Sequence, residues 1–223
     1  MWRDAALVAG KDLRIEARSR VATNQIAPFA VLVLVLFAFA LDPDRGVLSR
    51  AAPGLFWVAV LFASLLAVQR SFSVEAADGG RDGLRLSGLD PAGIFLGKAG
   101  AVVLQLLALE VLLGVFTALL YDTPVRGAVV LTLTCLTATL GLAGAGTVYG
   151  MLAAGLRVRE TLLPLLLLPV VAPVLLAATR ATEGALDITT TAEAWPWIRL
   201  LSVFAVIYLT FGVLAFGALL EEA

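Results

Sequence analysis

Residues 24–41, NQIAPFAVLVLVLFAFAL, decide the fold class of this chain of 223 residues. From Ile26 to Leu41 every side chain is apolar, and roughly 20 such residues cross the hydrocarbon core of a membrane as a helix. The apolar side chains show no alternation with a period of two, so they do not indicate a strand of a membrane barrel. The stretch therefore predicts a membrane-spanning helix.

The rest of the chain is nearly as apolar. Hydrophobic residues make up 61% of the sequence and charged residues 15%, and the mean hydropathy is +0.98. Soluble domains are only about half apolar, so we expect one transmembrane domain over residues 1–223. We predict an all-α membrane protein with six transmembrane helices, at about 24–41, 53–69, 99–120, 127–154, 162–179 and 198–219.

Residues 2–20 form a charged segment ahead of the first span. They carry too many charges for the apolar core of a signal peptide. On a helix drawn through them, basic and apolar side chains occupy opposite faces. We predict an amphipathic helix at the membrane interface, and a basic helix bound to a partner protein is the alternative. The basic face holds Arg3, Lys11, Arg14 and Arg18, and the apolar face holds Trp2, Ala6, Ala9, Leu13 and Ala17.

Lysine and arginine residues are divided unevenly between the two sides of the six predicted spans. Eleven lie on the side of the N-terminus and five on the other side. Positive charge close to a span resists translocation, so the richer side is expected to be cytoplasmic. Both termini are then predicted to lie in the cytoplasm.

Residues 70–91, RSFSVEAADGGRDGLRLSGLDP, interrupt the apolar pattern and lie in the largest predicted cytoplasmic loop, 70–98. The pattern Leu-x-Leu-x-x-Leu over residues 84–89 is too short to span a membrane. It presents an apolar edge framed by charges, which is the composition of a docking surface. A mobile hydrophilic loop is the alternative.

Glu110 falls near the middle of the third predicted span. A carboxylate at that depth costs a few kcal/mol, so it should face protein or water, be neutral, or have a partner. Glu110 is therefore the main intramembrane candidate for a functional residue. A structural hydrogen bond to a threonine or to Gln105 is the alternative.

Two further patterns concern the packing of the spans. Gly146 and Gly150 form a small-x-x-x-small motif, which lets another helix approach closely. Pro164, Pro169 and Pro173 lie within the fifth span, where each removes a backbone donor. We therefore expect that helix to be kinked or partly unwound, and to line a cavity or a protein interface.

The residue types exclude several kinds of chemistry. The sequence has no histidine, which removes the most common general base and metal ligand. Residues 93–99, GIFLGKA, resemble a phosphate-binding loop but have one residue too few and no Ser or Thr after Lys98. The chain is therefore expected to be a non-catalytic subunit with no metal site and no bound cofactor, and any ATP hydrolysis would occur on a partner.

Several stretches resemble the haem exporter protein B (CcmB) family. They are KDLRIEARSR at 11–20, APGLFWVAVLFASLLAVQRSF at 52–72, EAADGGRDGLRLSGLDP at 75–91 with Lys98 after it, and LLLLPVVAPVLLAATRA at 165–181. The resemblance implies an ABC-2 type exporter permease in a bacterial inner membrane. It also implies contact with the ATPase through Arg70, Phe72, Glu75, Asp78, Gly79, Asp82, Leu84 and Leu86.

The resemblance further implies the partners. They are two copies of an ATPase that carries ATP, a second copy of this chain, a haem-handling membrane subunit and the lipid bilayer, with no nucleic acid. Haem would be the cargo, although only weak iron ligands such as Cys135, Met151 or a tyrosine are present. Closure of the ATPases would pull the paired loops together, and the span with three prolines and the span with Glu110 would then rearrange.

Three other functions remain open on the sequence. The chain could be an ABC-2 permease for a lipid or a drug, which shares the architecture and differs only in cargo. It could be a proton-coupled secondary transporter or channel that uses Glu110, although no inverted repeat is visible in the hydropathy. It could also be a structural assembly subunit.

Overall fold

The computed structural model describes residues 1–41, 45–76, 88–121, 123, 125–154 and 159–222. In these ranges all regular secondary structure is helical, so the predicted all-α fold class is confirmed. The helices are α1 (Trp2–Ser19), α2 (Ala27–Ala40) with a π-helical segment ahead of it (Ala22–Ile26), α3 (Arg45–Ala76), α4 (Pro91–Tyr121), α5 (Ala128–Ala154), α6 (Arg159–Ala185) and α7 (Thr191–Glu222).

Five of these helices, α3 to α7, are each long and apolar enough to cross a membrane. The 14 α-helical residues of α2 are about 21 Å long at 1.5 Å per residue, which is short of a ~30 Å hydrocarbon core. Taken together, α1 and the segment Asn24–Ala40 form a bent pair at 55° that passes the same test, so the count reaches six. The hydroxyl of Tyr121 donates to the Leu34 carbonyl at 2.8 Å and joins α4 to α2.

Helix α5 lies at the centre of the bundle because small residues line its second half. All residues from Gly141 to Val148 are buried. A Cβ atom added at Gly141 would lie 2.9 Å from the Phe204 ring of α7, and one added at Gly146 would lie 2.7 Å from Val68 of α3. Helices α3 and α7 therefore approach α5 on two sides.

Helix α1 packs on the first turns of α4. Its buried residues are Ala5 and Val8, and added Cβ atoms at Gly93 and Gly97 would overlap the α1 backbone. The predicted contact of the apolar face with the membrane interface stays a prediction, and Trp2 on that face is 74% exposed. The face that packs on α4 is a different one. The cause is the flat glycine surface of α4, which favours contact with small side chains over contact with large ones.

The predicted loop 70–98 is shorter in the structure because helices occupy both of its ends. Helix α3 continues through Ala76, since residues 70–78 contain no glycine or proline ahead of Gly79. Helix α4 already begins at Pro91, a residue suited to the first position of a helix. The Asp90 carboxylate caps this start by accepting a hydrogen bond from the Ala92 backbone at 3.1 Å.

Helix α6 remains helical throughout Arg159–Ala185, although Pro164, Pro169 and Pro173 lie inside it. The expected local unwinding is therefore absent from this helix. Pro169 and Pro173 are exposed on the surface of the bundle, where their rings do not disturb packing within the chain. Each proline removes one donor, and the remaining hydrogen bonds suffice to keep the helix continuous.

Candidate functional site

Three helices meet where α3 leaves the bundle, at the end of the molecule that holds α1. Asp12 comes from α1, Ser71 and Phe72 from the last turns of α3, and Lys98 from the second turn of α4. We call these four residues the Lys98 cluster. It lies immediately before residues 77–87, which are outside the described part of the chain.

Lys98 is the centre of the cluster and is only 1% exposed. Its Nζ atom lies 3.5 Å from Asp12 Oδ2 and 3.4 Å from Ser71 Oγ. The Ser71 hydroxyl in turn donates to Asp12 Oδ2 at 3.4 Å. The same Nζ atom lies 4.8 Å from the centroid of the Phe72 ring, within range of a cation–π interaction.

The charges of the cluster depend on each other. Asp12 is only 11% exposed in its pair with Lys98, so both groups have lost most of their hydration. Removing one partner of a buried pair costs about 3–5 kcal/mol, because the other charge is left uncompensated. The pair therefore links α1 to α4, and Ser71 adds the end of α3 to the same contact.

Arg70 lies beside the cluster and lines two cavities. Among the described residues its Nε atom is buried without a hydrogen-bond partner. One cavity, of about 230 Å³, has mainly apolar walls, and Gln25, Gln69 and Ser73 also line it. The other, of about 20 Å³, is lined on its α1 side by Asp12 and Glu16. The Arg70 guanidinium is therefore held between an acidic and an apolar environment.

A second set of charges holds the start of α4. The Met1 amine lies 3.2 Å from Asp4 Oδ2 and 3.3 Å from Asp90 Oδ2. Hydrogen bonds to Asp4 and Asp90 raise the pKa of this amine. The same amine is the main cause that lowers the pKa of Asp4. Described residues on both sides of 77–87 thus contact α1: Ser71 contacts Asp12, and Asp90 contacts Met1 and Asp4.

Of the residues predicted to contact an ATPase, Arg70 and Phe72 lie at the Lys98 cluster. Glu75 is in the last turn of α3, and its side chain is not described. The other predicted contacts lie outside the described residues, so their role stays a prediction. They are Asp78, Gly79, Asp82, Leu84 and Leu86.

The predicted packing and intramembrane residues divide between two places. Gly150 faces Phe72 and Gly146 faces Val68, so the small-residue motif borders the cluster. Glu110 lies in the other half of α4, where the Thr139 hydroxyl of α5 donates to its Oε1 atom. The structure therefore does not bring Glu110 together with the cluster.

The sequence did not assign a role to Asp12 or Ser71, and it indicated Lys98 only by its place after the loop and in the imperfect phosphate-loop pattern. A signal was available for Asp12, because Ala5, Val8 and Asp12 follow helical spacing on the face that becomes buried. A lone acid on such a face requires a partner. Within the part of the chain that the structure describes, no group of three or more metal-ligating side chains occurs.

Comparison with known proteins gives the family. The profile of the CcmB protein family matches residues 4–223. The chain belongs to the CcmB family. Proteins called heme exporter protein B are similar to it in Pseudomonas aeruginosa (30% identity, 94% of each chain), Haemophilus influenzae (34% identity, 78% of this chain and 79% of the relative) and Escherichia coli K12 (35% identity, 78% and 79%).

Family membership agrees with the architecture. The bundle is a multi-pass membrane protein with five or six apolar helices, and its relatives are bacterial. The match covers the Lys98 cluster and the whole of the segment 70–91. In this CcmB chain, described residues on either side of 77–87 contact α1.

Proposed function

We propose that this CcmB chain is the membrane-spanning permease subunit of an ABC transporter that handles or exports haem for cytochrome c biogenesis. The observation that carries the proposal is the family match over residues 4–223, together with the name heme exporter protein B of its relatives. The Lys98 cluster supports it, because it gives the segment 70–91 a mechanical connection to the bundle.

The mechanism begins at the segment that follows α3. An ATPase that binds residues 70–91 would apply force to the end of a helix of 32 residues. The cluster joins that end to α1 and α4 through Asp12 and Lys98, so the three helices would move as a unit. Nucleotide bound to the partner would supply the differential binding energy that a two-state shift requires.

The chain itself would not hydrolyse ATP. It contains no histidine, and the residues that resemble a phosphate-binding loop form the start of α4, with the Lys98 side chain buried against Asp12. Two copies of a separate ATPase, a second copy of this chain and a haem-handling membrane subunit would complete the complex. Haem would be cargo, and no cofactor would be held permanently.

We place the protein in the bacterial inner membrane with both termini in the cytoplasm. The α1 end of the bundle carries the exposed basic residues Arg3, Lys11, Arg14 and Arg18. These charges would face anionic lipid headgroups on the cytoplasmic side. Residues 70–76 and 88–91 lie at the same end, where a soluble ATPase could reach the segment between them.

Copurification in mild detergent tests the proposal. Tagged chain should bring down a small soluble ATPase at one-to-one stoichiometry, and Asp78→Ala should lower its recovery and the yield of cytochrome c. Asp187→Ala is the matched control, since Asp187 is an exposed acid at the opposite end of the bundle. Cargo movement by purified chain alone in liposomes would contradict the proposal.

Another anionic amphiphile is the second candidate cargo. The cavity of about 230 Å³ beside Arg70 has mainly apolar walls and one cation at its edge, which suits a lipid or a drug with an acidic group as well as it suits haem. Stimulation of ATP hydrolysis in the reconstituted complex by such a compound, and not by haem, would favour this candidate.

A further inference from the structure

A further cavity lies between the halves of α3, α4, α5 and α6 that are remote from α1. Its volume is about 70 Å³. Most of its wall is apolar, with Pro53 and Phe56 on the α3 side. Its polar lining residues are Glu110, Thr117, Thr123, Cys135 and Thr182.

Glu110 is one of the residues that line this cavity. The side chain is only 4% exposed. Its Oε1 atom accepts a hydrogen bond from the Thr139 hydroxyl. Among the described residues, Oε2 has no hydrogen-bond partner. A buried polar atom left in this way costs about 1–3 kcal/mol.

Thr117 presents a second unpaired oxygen two helical turns further along the same face of α4. The buried hydroxyls of Thr134, Thr147 and Thr182 each donate to the carbonyl four residues earlier in their own helix. The Thr117 hydroxyl is buried as well, yet in the described part of the chain it has no partner. Glu110 and Thr117, each with a buried oxygen that has no partner among the described residues, therefore line the same cavity.

The surroundings of the cavity determine the protonation state of Glu110. Cys135 of α5 is the other titratable side chain among its described lining residues, and no lysine or arginine is included there. The lining residues from α3 and α6 are uncharged. An ionised carboxylate would have no compensating charge, so the neutral acid is favoured. Because Oε1 accepts from Thr139, the proton belongs on Oε2.

We propose that this cavity is an internal water site, in which Glu110 is a neutral carboxylic acid that donates from Oε2 to ordered water shared with the Thr117 hydroxyl. A volume of about 70 Å³ has room for roughly two water molecules. Buried waters of this kind bond to two to four polar groups, and the lining supplies them. The inference is independent of the transport function proposed above.

Infrared spectroscopy of the full chain in lipid tests the protonation state and the hydration together. The carbonyl band of a protonated carboxylic acid should be present at neutral pH in the unmodified chain and absent in Glu110→Gln. The band should shift in D₂O, because water reaches the acid proton. A carboxylate band in its place, or an acid band that does not shift, would overturn the proposal.

The Thr117 contribution has a matched control. Thr117→Val should shift the acid band, because the shared water loses one partner. Thr137→Val should leave the band unchanged, since the Thr137 hydroxyl is bonded within its own helix. Equal spectra for Thr117→Val and the unmodified chain would show that no water connects the two groups.

A labelling experiment on the unmodified chain avoids any dependence on folding of the variants. An apolar carbodiimide reacts with protonated carboxyl groups in apolar surroundings, so peptide mapping should find Glu110 modified. The rate should be the same with and without Na⁺. Protection by Na⁺ of several-fold would assign the cavity to a cation, and an unmodified Glu110 would indicate an ionised acid; both results would contradict the neutral acid.

Discussion

Lys98 illustrates how one side chain can join three helices. Its ammonium is buried, and its compensation comes from Asp12, Ser71 and the Phe72 ring, which belong to two other helices. A buried pair adds little to stability when compared with apolar residues, and its loss on one side alone is costly. The pair is therefore better explained as a specific connection than as a source of stability.

A double-mutant cycle measures this connection. Asp12→Asn should lower the free energy of unfolding by about 3 kcal/mol, since the buried Lys98 ammonium then loses the Asp12 carboxylate. Adding Lys98→Met should restore most of the loss. Thermal unfolding in detergent gives the values, with exposed Arg14→Ala as a control expected to be within ~0.5 kcal/mol of the unmodified chain. Additive losses would show that the two groups do not interact.

The contact of Met1 with Asp4 and Asp90 should depend on pH in both directions. The Asp4 pKa is lowered from 3.8, so its contribution is present above that value and is lost as the pH falls through the lowered pKa. The amine pKa is raised from 8.0, so its contribution is lost as the pH rises through the raised pKa. Acetylation of the amine should abolish the loss of stability at high pH.

Hydrogen exchange at the first turn of α1 reports this contact. The Ala5 amide donates to the Met1 carbonyl at 2.9 Å. The protection of this amide from exchange should therefore be greatest at pH values between the Asp4 pKa and the amine pKa. Protection that is flat with pH after correction for intrinsic exchange would contradict the assignment.

At the scale of elements, glycine positions set which helices touch. An added Cβ at Gly97 would lie 2.7 Å from the Ala5 carbonyl oxygen, whereas nothing lies within 4 Å of one at Gly100. These two glycines are one helical turn apart on α4 and differ only in what they face. The docking of α1 therefore depends on the absence of a side chain at Gly97.

Substitution by alanine should lower the stability of the protein at Gly97 but not at Gly100. Gly97→Ala should destabilise the protein by about 1–3 kcal/mol through overpacking against α1. Gly100→Ala should be neutral or stabilise it by up to roughly 1 kcal/mol, because alanine favours the helix. Unfolding in detergent compares them, and an equal effect of both variants would mean that α1 is not seated on Gly97.

The sequence predicted the number of helices better than their ends or partners. Apolar runs mark the spans because hydrocarbon imposes a minimum length. The predicted second span ends at residue 69, whereas α3 continues through Ala76, because polar side chains outside lipid give no such signal. The pairing of Asp12 with Lys98 joins positions 86 residues apart, and local pattern does not encode which of several acids meets a buried lysine. A threonine or Gln105 was the possible partner of Glu110 in the structural alternative, and the structure gives Thr139.

At the scale of the whole molecule, the bundle has two ends of different character. The α1 end collects the Lys98 cluster and the exposed basic residues, whereas the other end carries the connection 122–127 and the exposed tryptophans Trp195 and Trp197. Tryptophan is frequent at membrane interfaces. The division predicts that the two ends lie on opposite sides of the membrane.

Cysteine accessibility tests this division. In a Cys135→Ser background, Leu7→Cys on α1 should be labelled by an impermeant thiol reagent only after the cells are opened. Val125→Cys should be labelled in intact spheroplasts, since Val125 is 46% exposed at the other end. Labelling of both positions from the same side would contradict the orientation.

The seating of α3 on α5 limits how the bundle can move. Val68 and Phe72 fill the notches left by Gly146 and Gly150, and both pairs are spaced by four residues. A small shift of α3 along α5 would bring these side chains into steric overlap with the larger side chains next to the two glycines. The next position of α3 along α5 without such overlap is about one helical turn away, roughly 5.4 Å. A force on α3 should therefore either leave it in place or move it by one discrete step.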